Sequence, residues 1–211
     1  MKHPEIKKIG PQAIEAESFR IIESELGPEK RERFSPAEFE VVRRCIHATG
    51  DFSFADTMRF SRDAIASGLA AIRGGKNILV DVNMAASGIS AGLLEKFGGR
   101  VICRIGERDT VMRAKEGKKT RSEVAMEQAA NDNIGIVAIG NAPTALLKVM
   151  ELREKGLFFP DLVIGVPVGF VNAAESKEIL STQSYAFITA LGRKGGTPVA
   201  VAAVNALLRL A

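Results

Sequence analysis

The sequence reads as an α/β protein built on a doubly wound parallel sheet of about five strands, with helices on both faces and an N-terminal helical extension. Three observations carry this reading. Short, continuously apolar runs alternate with amphipathic segments from residue 61 onward. Strands that are apolar on both faces belong to a parallel sheet covered on both sides. The first sixty residues instead show helical spacing, two breakers and a phenylalanine-rich turn.

The first helix is expected from about Gln12 to Leu26, ending at the breaker pair Gly27-Pro28. Its expected apolar stripe is Ile14, Ile21, Ile22 and Leu26, with Phe19 beside it. Ser18 falls on that stripe, where its hydroxyl either bonds back to the helix carbonyl four residues earlier or reaches into a site. Ser35-Pro36-Ala37-Glu38 is a capping box with proline at the first helical position. The helix it opens carries Phe39, Val42, Cys45 and Ile46 inward and ends near His47. Arg44 lies three residues before His47 and shares its face.

After the turn from Asp51 to Phe60, Ser61 is expected to cap a helix to Arg73, closed by Gly74-Gly75. The apolar runs Ile78–Val82, Val101–Ile105, Ile134–Ile139, Leu162–Val166 and Tyr185–Thr189 are expected as strands. Helices are expected near Ala91–Phe97, Arg121–Asn131, Pro143–Lys155 and Ala173–Leu180, and from Thr197 to Leu210. Thr120-Arg121-Ser122-Glu123 forms a second capping box. The alternation suggests a flavodoxin-like order. One domain, 1–211, is expected, with 1–60 as a helical segment and 61–211 as the sheet.

The 211 residues are 46% apolar, enough for a core, and contain no run of 18 apolar residues. No membrane span or signal peptide is expected, so the location reads as cytoplasmic. Cys45 and Cys103 lie far apart and read as buried free thiols of a reducing compartment. Two histidines and two cysteines, scattered, do not make a zinc site of the usual spacing. The net charge is +4. Its basic residues gather in Arg100, Arg104, Arg108, Arg113, Lys115, Lys118, Lys119 and Arg121, either a solvated face or a landing site for an anion. With no tryptophan and one tyrosine, nucleic acid is a poor candidate for that anion.

Ligands of such sheets bind at the carboxyl ends of the strands. Those ends read Asp81-Val82-Asn83-Met84, Gly140-Asn141-Ala142-Pro143-Thr144, Gly165 to Phe170, and Gly192 to Pro198. Glycines let backbone N–H groups approach a ligand, and the following helices add partial positive charge. The G-x-G-x-x-G and G-x-x-x-x-G-K-[ST] nucleotide motifs and the G-x-S-x-G elbow are absent. One residue suited to proton transfer stands out. Of the two histidines, His3 sits in a polar tail, whereas His47 closes a capped helix and enters a Thr-Gly-Asp turn. An imidazole gives and takes protons near neutrality. Arg44 is expected to disfavour its charged form and Asp51 to favour it.

Four segments give the chain a family resemblance: Glu17 to Ile22, Val42 to Asp51, Val137 to Leu146, and Gly165 to Lys177. Asp81-Val82-Asn83-Met84 and Gly195-Gly196 also fit. Together they resemble the precorrin-8X methylmutases (precorrin isomerases) of corrin-ring biosynthesis, over about Ile14 to Leu210. The resemblance implies an isomerase that moves a methyl group from ring carbon 11 to ring carbon 12 of a polycarboxylated tetrapyrrole. It implies His47 as the catalytic residue, with Ser18, Arg44, Arg121, Thr49, Asn83, Gly195 and Gly196 as substrate contacts. It implies a homodimer and no cofactor of the protein's own, any cobalt being carried by the substrate ring. A non-catalytic tetrapyrrole carrier is the competing reading, and a nucleotide-dependent transferase on the same fold a third.

Overall fold

The computed structural model describes residues 8–211. His3 lies outside the described residues. In chain order the elements are α1 (Ile14–Arg31), α2 (Pro36–Thr49), α3 (Phe54–Thr57), β1 (Met58–Phe60), α4 (Ala64–Arg73), β2 (Asn77–Val80), α5 (Asn83–Gly88), α6 (Ala91–Leu94) and β3 (Val101–Ile102). They continue as α7 (Arg108–Glu116), α8 (Arg121–Gln128), β4 (Ile134–Ile139), α9 (Pro143–Glu154), β5 (Leu162–Gly165), α10 (Ala173–Ser181), β6 (Phe187–Ala190) and α11 (Thr197–Leu210).

The strands form one sheet in the order β1-β6-β5-β4-β2-β3. The five strands from β2 to β6 run parallel, in the doubly wound order expected. A sixth strand, β1, was not expected. It pairs antiparallel with β6, Met58 opposite Ala190 and Phe60 opposite Ile188. The N-terminal segment is therefore not wholly helical, because its phenylalanine-rich turn delivers an edge strand. Arg59 folds its guanidinium back onto the Asp56 and Met58 carbonyls at 2.9 and 2.8 Å. An edge strand held this way is less open to pairing with another chain.

Side chains of the central strands divide between the two faces. Ile78, Val80, Ile136, Ala138 and Ile164 join the core under α2, α4 and α11. Leu79, Val137, Ile139 and Val163 join the core under α8 and α9. Helix α11 is apolar nearly all round, with Val199, Ala200, Ala203, Val204 and Leu207 at 0% exposure. A helix of that kind has to be covered on both sides. The sheet covers one side and α2 the other; Cys45 Sγ of α2 reaches the Val199 carbonyl at 3.7 Å.

The capping boxes at Ser35 and Thr120 both form. Gly27 breaks α1 with φ 71°, ψ 169°, and one further turn follows Pro28 to Arg31. The expected stripe of α1 is rotated. Ile14 and Ile21 are exposed, and the buried set is Phe19, Ile22 and Leu26. Ser61 does not cap α4; its hydroxyl accepts the Phe187 N–H at 2.9 Å and ties the segment to β6. Helices α5 and α7 were also not expected.

Candidate active site

Helix α2 ends at Thr49, two residues after His47, and at its cap Gly50 takes φ 66° while its N–H closes on the Ile46 carbonyl. This leaves His47 on the exposed side of the last turn. Its ring meets the edge of Phe19 at 5.3 Å, with the planes at 76°. Among the described residues the imidazole has no hydrogen-bond partner, so both ring nitrogens are free for a ligand. Arg44, His47 and Ala48 of α2 face Pro198, Val201, Ala202, Asn205 and Arg209 of α11 across a shallow depression of about 260 Å³.

Arg44 lies over the Phe19 ring at 5.0 Å and donates to Glu15 at 3.1 Å. Asp51, expected near the imidazole, turns away. It accepts from Lys194 Nζ at 2.7 Å and from the Ser53 N–H at 2.9 Å. The Lys194 hydrogen bond, followed by those from Ser53, holds its carboxyl well below the usual range, at about 2.

The other expected site residues sort into two kinds. Some are committed within the fold. Thr49 Oγ1 donates to the Cys45 carbonyl at 2.8 Å and accepts the Asp51 N–H at 3.2 Å, closing the turn. Ser18 Oγ donates to the Ile14 carbonyl at 2.8 Å, the local back-bond. The N–H of Gly196 is spent on the Val166 carbonyl at 2.8 Å, and Gly196 is buried. A Cβ on Gly195, at φ +157°, would stand 2.2 Å from Val166 O, so this position is glycine for close loop packing. The others, Asn83 and Arg121, are exposed at the starts of α5 and α8. Among the described residues no hydrogen bond or ion pair joins Arg121 to His47.

The strand-end loops hold a group whose role the sequence did not reveal. Asp81 follows β2 and is fully buried. It accepts N–H groups of Gly140, Asn141 and Ala142 at 3.2, 2.8 and 2.7 Å. Burial pushes its carboxyl up, against those three bonds. The start of α9, expected to receive a ligand's anion, is thus filled by the chain's own carboxylate. An aspartate directly after an apolar strand was the available signal. Lys177 of α10 is also fully buried and donates to the Lys194 carbonyl at 2.6 Å. Burial brings its ammonium down to about 8. Together Asp51 and Lys177 grip the Gly192–Gly196 loop from two sides.

The basic stretch is partly spent as well. Arg104 pairs with Asp132, Arg113 with Asp109 and Lys119 with Glu127. Cys45 is buried as expected, but Cys103 is only half-buried; burial raises both thiols, Cys45 to about 12, which does not suit a nucleophile. Among the described residues no group of three or more His, Cys, Asp or Glu is placed to hold a metal ion. The site's chemistry is one free imidazole beside two arginines.

A family model described as precorrin-8X methylmutase matches residues 13–210. A cobalt-precorrin-8 methylmutase of Priestia megaterium is 45% identical over 204 residues, 96% of this chain and 89% of that one. A precorrin-8X methylmutase of Pseudomonas aeruginosa is 42% identical over 200 residues, covering 93% and 94%. The crystal structure of a precorrin-8X methylmutase from Thermus thermophilus superposes with a TM-score of 0.86 at 45% identity, covering 94% of this chain and 95% of that one. The match runs through both the sheet and the α1–α2 pair that carries His47, and on it the chain belongs to the precorrin-8X methylmutase family, isomerases that move a methyl group within one molecule.

Proposed function

We propose that this chain moves a methyl group from ring carbon 11 to ring carbon 12 of precorrin-8X, or of its cobalt-bearing counterpart, giving hydrogenobyrinate or cobyrinate in cobalamin biosynthesis. The observation that carries this reading is His47, an exposed imidazole beside Arg44 and Arg209 with no hydrogen-bond partner among the described residues. The migration rearranges the ring's own conjugated electrons. The protein's part is to hold one tautomer in place and manage one proton. His47 gives a proton to a ring nitrogen or its neighbour as the methyl migrates, and takes it back afterwards. Arg44 and Arg121 grip carboxylate arms with charge-assisted hydrogen bonds. Ser18, Thr49, Asn83, Gly195 and Gly196 are the further proposed contacts.

No cofactor of the protein's own enters this reaction, and cobalt, where present, belongs to the substrate. The depression at His47 is smaller than the ~300–1,000 Å³ usual for small-molecule pockets. A tetrapyrrole therefore needs a further wall, which supports the homodimer as the working form. Val168, Phe170, Val171 and Met84 stand exposed near the strand ends and offer apolar surface for it. The chain works as one domain in the cytoplasm; no helix among the described residues is long and apolar enough to cross a membrane. Incubation with precorrin-8X, with and without cobalt, followed by visible spectroscopy, tests the proposal. Conversion to the product chromophore is expected, and binding without conversion would leave a carrier.

A further inference from the structure

We propose that Glu15 is a built-in occupant of a substrate-carboxylate seat: in the free chain it holds the Arg44 guanidinium, and an incoming carboxylate displaces it. This rests on the methylmutase reading and adds a residue that sets ligand affinity at the same site. Glu15 lies in the first turn of α1 and pairs with Arg44 at 3.1 Å. The two side chains differ in cover. Arg44 is 14% exposed and Glu15 is 51% exposed. A mostly covered cation capped by an exposed anion is a pair from which the anion can leave into water.

The surroundings are those of an anion seat. The hydrogen bond from Arg44 holds the Glu15 carboxyl below its ordinary range, and the charges of Arg44, Arg209 and His47 act in the same direction. All three basic groups line one depression. Among the described residues Arg44 has no other acid partner. Nor does the guanidinium depend on Glu15 for its place, because it rests over the Phe19 ring at 5.0 Å. Arg43, its neighbour on the same helix, shows the structural alternative. It is held by two acids, Glu23 and Glu40, and lies over Phe19 at 4.2 Å. Arg43 is locked; Arg44 is held by one exposed carboxylate.

An internal carboxylate competes at a high effective concentration. A ligand offering one carboxylate only exchanges one ion pair for another. A ligand whose several carboxylates also meet other cations gains the difference. Glu15 therefore lowers the affinity of any carboxylate seated on Arg44 by one common factor, which a polycarboxylate recovers through its other contacts.

The test is a titration with hydrogenobyrinate at low salt, read by visible absorbance, on wild type, Glu15→Gln, Arg44→Ala and the double variant. Glu15→Gln should bind about two- to fivefold tighter than wild type, the worth of an exposed ion pair. The gain should vanish in the Arg44→Ala background. Unchanged or weaker binding by Glu15→Gln, beside normal wild-type binding, overturns the role of Glu15 alone. A gain that survives in Arg44→Ala also overturns it, since only long-range charge would then be acting. If wild type neither binds hydrogenobyrinate nor converts precorrin-8X, the functional reading falls and Glu15 with it.

Discussion

The strand-end loops and the α1–α2 face carry similar residues and use them in opposite ways. In the loops, the Asp81 carboxylate is surrounded by three backbone N–H groups, Lys177 is buried on the Lys194 carbonyl, and the Gly196 N–H closes on Val166. On the helix pair, His47 has no hydrogen-bond partner among the described residues, and Arg44 has a single exposed one. Buried polar groups must be satisfied internally, and those so satisfied have little left for a ligand. Glycine-rich strand ends invite a reading as ligand loops. Here these loop groups hold the sheet's end together, while the exposed imidazole of His47 and the singly paired Arg44 stand on the helices packed outside it.

The sharpest test of this contrast is loss of the imidazole. His47→Ala should reduce turnover by about 10²–10⁴-fold, the range for one general acid. Binding should stay within about tenfold, ~1.4 kcal/mol, and unfolding should be unchanged. Next is the loop. Gly195→Ala places a methyl 2.2 Å from Val166 O and should cost roughly 2–3 kcal/mol in denaturant unfolding. A variant as stable as wild type would break the claim that the loop is structural. Arg44→Ala should weaken hydrogenobyrinate binding by about 1–3 kcal/mol, and added salt should weaken wild-type binding too.

Ser18→Ala should leave melting unchanged and raise KM by about three- to tenfold. Its hydroxyl donates to Ile14 but keeps lone pairs for a ligand donor, worth about 0.5–1.5 kcal/mol. Unchanged KM would reduce Ser18 to its back-bond. The smallest effect concerns Lys177. Burial lowers it from 10.5 to about 8, so between those pH values the unfolded chain binds more protons. Stability should therefore rise as pH rises through that window. Lys177→Met should flatten the rise, seen in urea unfolding against pH; an equal slope in both proteins would contradict the burial.

Much of this fold was legible because local signals agreed with the tertiary ones. Both capping boxes, the run Ile134–Ile139 and helix Thr197–Leu210 formed as expected. What was missed lacked a period long enough to read. Strand β1 has three residues and is set by its pairing with β6. Helix α7 buries only Thr110 and Ala114, so its sequence reads as a charged stretch. In α1, Phe19, Ile22 and Leu26 keep helical spacing as well as the expected set does. The choice between them was made by packing on α2, where Phe19 meets His47. His47 and Arg44 were singled out by type and spacing, and they do line one depression. The bonds of Glu15 and Asp81 were not legible, because each is made to a partner far along the chain.

The central claim, that the tetrapyrrole meets the helix pair at His47, is open to direct observation. The chain has two histidines, so imidazole nitrogen-15 NMR gives two sets of signals, which the His47→Ala variant assigns. On titration with hydrogenobyrinate, the His47 nitrogens should shift in step with the visible binding curve, while His3 stays in place. A saturated binding curve with the His47 signals unmoved would show that the ligand sits elsewhere and would contradict the account.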